Sequence, residues 1–175
     1  MTALPPRVWI VGPCGSGKSW LSERLALHRG VPAVHLDDLH HLPGWRQALP
    51  EVLHAKVEEA TRGPSWVADG NYSTVVADLR ERADLVVWLD LPFHVTFPRV
   101  VRRTFRRAFT GELCCNGNRE SLVTAFFRKD SILLWAIATH RRTRGRLGER
   151  LASLPHVRLR TPRAVAEFVA SHGVG

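Results

Sequence analysis

A chain of 175 residues with 45% hydrophobic content is long enough for one real core, and no apolar run approaches the roughly 18 residues of a membrane span. The opening residues lack a leader's basic start and apolar middle, so a cytoplasmic protein without membrane attachment is expected; three cysteines (Cys14, Cys114 and Cys115, two of them adjacent) exclude a disulfide framework and paired zinc motifs. The net charge of +9 is uneven: residues 1–90 carry 9 Lys and Arg against 11 Asp and Glu, and residues 91–175 carry 16 against 5, a basic half that suits either nucleic acid or a polyphosphate clamp.

Short apolar runs at 8–11, 33–36, 66–68, 85–89 and 157–159 read as parallel strands buried on both faces. Helical patterns separate them, which predicts an α/β domain with right-handed crossovers. Directly after the first run stands Gly12-Pro13-Cys14-Gly15-Ser16-Gly17-Lys18-Ser19, which fits the phosphate-loop pattern G-x-x-x-x-G-K-[ST] at every fixed position. Glycines let the backbone curl so that successive N–H groups face an anion, and the following helix adds its positive dipole end. Lys18 is then placed for the β- and γ-phosphates of a nucleoside triphosphate, and the Ser19 hydroxyl for Mg²⁺.

The second strand ends in His35-Leu36-Asp37-Asp38-Leu39-His40-His41, beyond the carboxyl edge of the sheet where ligands bind. Asp37 reads equally as a base or Mg²⁺-water holder and as a helix cap; Asp38 reads as the cap. His40 and His41 read as packing or solvated residues, and Trp45 as a core residue before a stacking platform for an acceptor. The third strand runs into Asp69-Gly70-Asn71-Tyr72-Ser73, where Asp69 is expected to hold a Mg²⁺-bound water and Gly70 and Asn71 to lie against the acceptor.

After Leu89-Asp90-Leu91-Pro92 comes a helix on which Arg99, Arg102, Arg103 and Arg106 share an arc of about 100°, suited to phosphate, while Phe97, Val101, Phe105 and Ala108 pack elsewhere. Pro98 implies a late start or a kink. Residues 110–119, rich in turn formers, sit where a lid would close. The next helix carries Arg128, Lys129, Asp130, Arg141, Arg142 and Arg144, with Phe126, Phe127, Ile132, Leu133, Trp135 and Ile137 as core. Arg160-Thr161-Pro162 opens a last helix with Val165, Phe168 and Val169 on its apolar face.

With GPCGSGKS, HLDDLHHLPGW, WVADGNY and LDLP before the arginine helix, and with Gly117-Asn118-Arg119-Glu120 and Phe127-Arg128-Lys129-Asp130 after it, the chain resembles adenylate-kinase-like phosphate-loop kinases. More narrowly it resembles the small bacterial kinases labelled DNA topology modulation proteins. The resemblance implies a three-layer, five-stranded parallel sheet of order 2-3-1-4-5 in one domain spanning 1–175, with an acceptor-binding region at about 37–72 and a lid at about 108–128. It implies ATP and Mg²⁺ as cofactors, with Gly12 to Trp20, Arg99 and Thr161 on the nucleotide side. Ser19 and Asp69 would serve the metal, and Lys18, Arg103, Arg128 and Asp37 catalysis. Asp37, Trp45, Gly70, Asn71 and Tyr72 would line the acceptor side, with Arg141 or Arg142 near a second lid position. One departure stands out: Ser73 occupies the place of the arginine that grips the acceptor nucleotide's phosphate, which counts against AMP. The expected activity is phosphoryl transfer from ATP to a nucleotide, a nucleoside or a hydroxylated metabolite, by a monomer or homodimer. A nucleotide-gated, DNA-binding NTPase is the alternative, with nucleic acid the less favoured partner.

Overall fold

The computed structural model describes residues 4–72, 75–119 and 131–173. In chain order the elements are β1 (Arg7–Val11), α1 (Lys18–Arg29), β2 (Ala33–His35), α2 (Leu36–His40), β3 (His41–Leu42), a 3₁₀ turn (Pro43–Trp45), β4 (Arg46–Gln47), α3 (Pro50–Ala60), β5 (Trp66–Asp69), α4 (Val76–Arg82) and β6 (Leu85–Leu89). They continue with α5 (Phe93–Thr110), β7 (Leu113–Cys114), β8 (Asn118–Arg119), α6 (Ile132–Leu151), β9 (His156–Leu159) and α7 (Pro162–Ser171). Ser73, Glu120, Phe126, Phe127, Arg128, Lys129 and Asp130 lie outside the described residues.

Five strands form one parallel sheet in the order β2-β5-β1-β6-β9, which is 2-3-1-4-5 when only its own strands are counted. Strand alternation sends the two sides of β1 into two cores. Trp9 and Val11 join Leu36, Leu53, Val57, Trp66, Leu79 and Trp88 beneath α2, α3 and α4, where Leu147 and Leu151 of α6 also pack. Val8 and Ile10 meet Leu21 and Leu25 of α1 and Phe168 of α7 on the opposite face. Both faces are covered, which explains why these strands read as unbroken apolar runs.

Several local expectations need correction. Leu36 belongs to α2 rather than to the second strand. No break divides α5 at Pro98; the helix starts early, at Phe93, so the missing N–H removes a single bond in the second turn. In α6 the buried stripe is Leu133, Ala136, His140, Leu147 and Leu151, and Trp135 and Ile137 fall beside it, each 51% exposed. Two short antiparallel hairpins, β3–β4 and β7–β8, were not foreseen; strands of two residues carry no periodic signal. Among the described residues no helix is long and apolar enough to cross a membrane.

Asp90, fully buried just past β6, ties the basic half to the sheet. Its carboxylate accepts from Arg144 of α6 at 2.5 and 3.1 Å and from Arg158 of β9 at 3.0 and 2.7 Å. Burial alone would raise the carboxyl pKa, but the Arg144 and Arg158 hydrogen bonds outweigh it and hold the group below the usual carboxylate value. A carboxylate held low in the folded state stabilises above its unfolded pKa, and that stability disappears as pH falls through the folded pKa. Asp90→Asn is therefore expected to cost about 2–4 kcal/mol at pH 7, moderated by the solvent reach of both guanidinium groups. The gap to wild type should begin to narrow as pH falls below about 4 and should close only below the lowered folded pKa, which denaturant titrations at pH 7 and at successively lower pH would check.

Candidate active site

The phosphate loop occupies the carboxyl end of the central strand, between the ends of β5 and β6. Gly17 is the N-cap of α1 at φ 93°, so the loop N–H groups and the helix dipole converge on one hollow. Gly15, at φ 77°, rests on α5: a Cβ there would run into the Thr96 carbonyl and stand 2.7 Å from Val100 Cγ2. The arginine helix is therefore packed directly against the loop. Arg103 brings Nη2 to 3.5 Å from Cys14 Sγ, and Arg99 lies beside Gly17. Lys18 donates from Nζ to the carbonyls of Gly12 at 3.0 Å and Pro13 at 3.1 Å, lying across the loop. Ser16 Oγ and Arg103 Nε are buried there without a protein partner among the described residues. Donors left open beside a cationic loop fit a polyphosphate.

Asp69 closes the floor of this hollow. It is 1% exposed and accepts from Ser19 Oγ at 3.3 Å on Oδ1, and from Ser22 Oγ at 2.5 Å and His35 Nδ1 at 2.6 Å on Oδ2. The Asp69 hydrogen bond is the chief reason the His35 imidazole is held above its ordinary pKa. A serine hydroxyl and a carboxylate oxygen side by side are the hard-oxygen donors that Mg²⁺ takes, so Ser19 and Asp69 fit the ion the sequence implies. Ser22 and His35 were missed. Strand pairing sets His35 opposite Asp69, a register visible only once β2 is known to lie beside β5.

Beyond Asp69, Gly70 lets the chain pass close to Leu36: at φ 138°, a Cβ there would stand 2.7 Å from that of Leu36. Asn71 pairs with Gly12 like a strand neighbour, its Oδ1 accepting from the Gly12 N–H at 3.1 Å and its Nδ2 donating to the Gly12 carbonyl at 2.5 Å. Its side chain thus braces the phosphate loop, a different use from the acceptor contact expected of it. Tyr72 donates its hydroxyl to Asp37 Oδ1 at 2.8 Å, with His41 Nε2 at 3.4 Å and the His40 ring 4.4 Å away. Burial, reinforced by Asp37, pushes the Tyr72 hydroxyl above its usual pKa and keeps it a donor. His40 is lowered, chiefly by desolvation, and so favours the neutral form. Asp37 stays exposed at the start of α2. Neither Asp37 nor Asp38 caps that helix: the N-cap is His35, and no side chain caps it.

The β7–β8 hairpin lies on the Asp37 segment. Asn116 Nδ2 donates to the carbonyls of Asp38 and His41, the latter at 2.6 Å, and Asn118 Nδ2 donates to Leu42 at 3.0 Å. Trp45, at φ 59°, donates its N–H to Asn118 Oδ1 at 2.9 Å and its indole to the Arg119 carbonyl at 3.2 Å. Trp45 is 42% exposed and edge-on to His41, so the core placement does not hold; the indole is held under the hairpin instead.

Other candidates fall elsewhere. Thr161 caps α7, its hydroxyl accepting from the Ala164 N–H at 3.1 Å. Trp20 is half exposed, with Arg24 against its ring. Arg141 and Arg142 are exposed, while Arg144 on the same helix is half-buried and reaches the buried Asp90.

No family model matches the chain, and no curated protein matches it in sequence. Solved structures do match along nearly all of it. A gluconokinase from Sinorhizobium meliloti 1021 is 21% identical, covering 98% of this chain and 91% of its own, with a TM-score of 0.56. A shikimate kinase from Acinetobacter baumannii, in complex with shikimate, is 17% identical over 98% and 96%, with a TM-score of 0.54. Another from Bacteroides thetaiotaomicron is 14% identical over 95% and 97%, with a TM-score of 0.58. The fold is that of the phosphate-loop kinases.

Proposed function

We propose that the protein is a Mg²⁺- and ATP-dependent phosphotransferase whose acceptor is a small molecule presenting a hydroxyl group. The observation that carries this reading is the pairing of a braced phosphate loop with an exposed carboxylate, Asp37, held by Tyr72 at the same carboxyl edge of the sheet. A switch NTPase has no need of the second element. Lys18 would leave the Gly12 and Pro13 carbonyls for phosphate oxygens, while Arg103 and Arg99 would hold the nucleotide from α5. Ser19 would bind Mg²⁺ and Asp69 would hold its water; when bound, the ion supplies charge neutralisation on the phosphates. Asp37 would take the acceptor's hydroxyl proton as the oxygen bonds to the γ-phosphorus and ADP departs. Tyr72 would keep the carboxylate aimed, and Trp45 would cover the acceptor.

The acceptor region at about 37–72 and the lid at about 108–128 are part of this proposal, with Arg128 as the lid arginine, and so is a single domain over 1–175. The structural neighbours, a gluconokinase and a shikimate kinase in complex with shikimate, favour a hydroxylated metabolite, as does Ser73 in place of an arginine. The narrower likeness to adenylate kinases and DNA topology modulation proteins rests on the sequence strings alone. Within the basic half, Arg144 and Arg158 hold Asp90 and Arg106 pairs with Glu112 at 3.0 Å, which leaves less of it for an extended nucleic acid. The test is an ATP-consumption screen across nucleoside monophosphates, nucleosides and hydroxylated metabolites. Stimulation by a hydroxylated metabolite and none by AMP is expected; a rise with AMP would overturn the reading of Ser73.

A further inference from the structure

We propose that His35 is a positioning residue that fixes which carboxylate oxygen of Asp69 faces the Mg²⁺ side of the phosphate loop. This rests on the nucleotide-binding reading above and adds a residue that the phosphate-loop pattern does not contain. β2 and β5 pair in parallel with His35 opposite Asp69, so the imidazole arrives from the neighbouring strand rather than from the loop. A carboxylate only accepts, so the 2.6 Å contact requires the proton on His35 Nδ1. The other ring nitrogen lies 3.7 Å from Glu23 Oε1, beyond hydrogen-bond length. Ser22 Oγ, from α1, bonds the same oxygen at 2.5 Å.

The two oxygens of Asp69 are therefore unequal. Oδ2 is clamped between a helix and a strand, and Oδ1 has the Ser19 hydroxyl at 3.3 Å among the described residues. Asp69 is 1% exposed, so the protein groups around it set its orientation. Without His35, Ser22 is the one remaining partner of Oδ2 among the described residues, and the carboxylate is free to turn about it. With both bonds, Oδ1 stays directed at Ser19. Partners that orient metal-site carboxylates typically change metal affinity by about 10–100-fold when removed.

The test is calorimetric titration with the non-hydrolysable β,γ-imido analogue of ATP, in MgCl₂ and separately in EDTA. Wild type should bind the analogue more tightly with Mg²⁺. His35→Ala should lose about 10–100-fold of affinity in MgCl₂ and stay within about twofold of wild type in EDTA. His35→Asn, whose Nδ2 replaces the Nδ1 donor but has nothing at Nε2, should recover most of the loss, and it also serves if the alanine variant folds poorly. The inference is overturned by His35→Ala matching wild type in MgCl₂, by equal losses in MgCl₂ and EDTA, or by His35→Asn behaving like His35→Ala. Failure of wild type to bind the analogue under either condition would instead overturn the nucleotide-binding reading itself.

Discussion

Lys18→Ala is expected to lower ATP turnover by about 10³-fold or more, with the fold intact. The lysine carries the mobile positive charge of the phosphate loop, and single groups that stabilise charge on a transferring phosphoryl contribute on this scale. The structure also says why the variant should fold. The carbonyls that Lys18 meets keep other donors: Asn71 Nδ2 serves Gly12, and the Ser16 N–H serves Pro13 at 3.2 Å. Loss of two partly exposed hydrogen bonds that leave no carbonyl orphaned should cost no more than about 1 kcal/mol. Steady-state turnover beside a thermal melt tests both halves, and near-normal turnover in a folded variant would contradict the assignment.

Asp37→Asn is expected to lower acceptor-dependent turnover by about 10²–10⁴-fold while nucleotide affinity stays within about twofold. Asparagine keeps an oxygen that accepts from Tyr72, so the side chain stays in place and what is lost is the charge and the ability to take a proton. Because Asp37 is exposed, stability should hardly change. The comparison is kcat, with the acceptor returned by the consumption screen, against the dissociation constant of a non-hydrolysable ATP analogue. An equal loss in both would move Asp37 to the nucleotide side of the site, and an unchanged kcat would remove it from catalysis.

The phosphate loop was legible because all of its demands are local: a strand, glycines at fixed spacing, then a helix. The carboxyl end of β5 was legible for the same reason, as an apolar run that stops at Asp69, whereas the run at 33–36 located β2 but overran its end by Leu36. What lay hidden depends on contacts across elements. Asn71 reads naturally as an acceptor contact beside Tyr72, yet the parallel pairing of β1 and β5 brings its amide onto Gly12. His35 acquires its role only when β2 is set beside β5. Trp135 and Ile137 look like core in a list of apolar residues, but the stripe from Leu133 through Ala136 and His140 to Leu147 leaves them to one side. Thr161 carried a readable signal that was passed over, since Thr before Pro at a helix start is a cap followed by its favoured first residue. The hairpin bonds of Asn116, Asn118 and Trp45 join residues more than 70 apart, which neither pattern nor propensity reports.

The most direct test of phosphoryl transfer is to follow the γ-phosphoryl itself. ATP labelled at the γ-phosphorus would be incubated with the protein and Mg²⁺, together with hydroxylated metabolites in one arm and AMP in the other, and the products separated. The expected result is label in a phosphate ester of a hydroxylated metabolite, matched by ADP, with none in nucleotide formed from AMP. Label appearing only in inorganic phosphate, at a rate no acceptor changes, would contradict transfer and leave an NTPase.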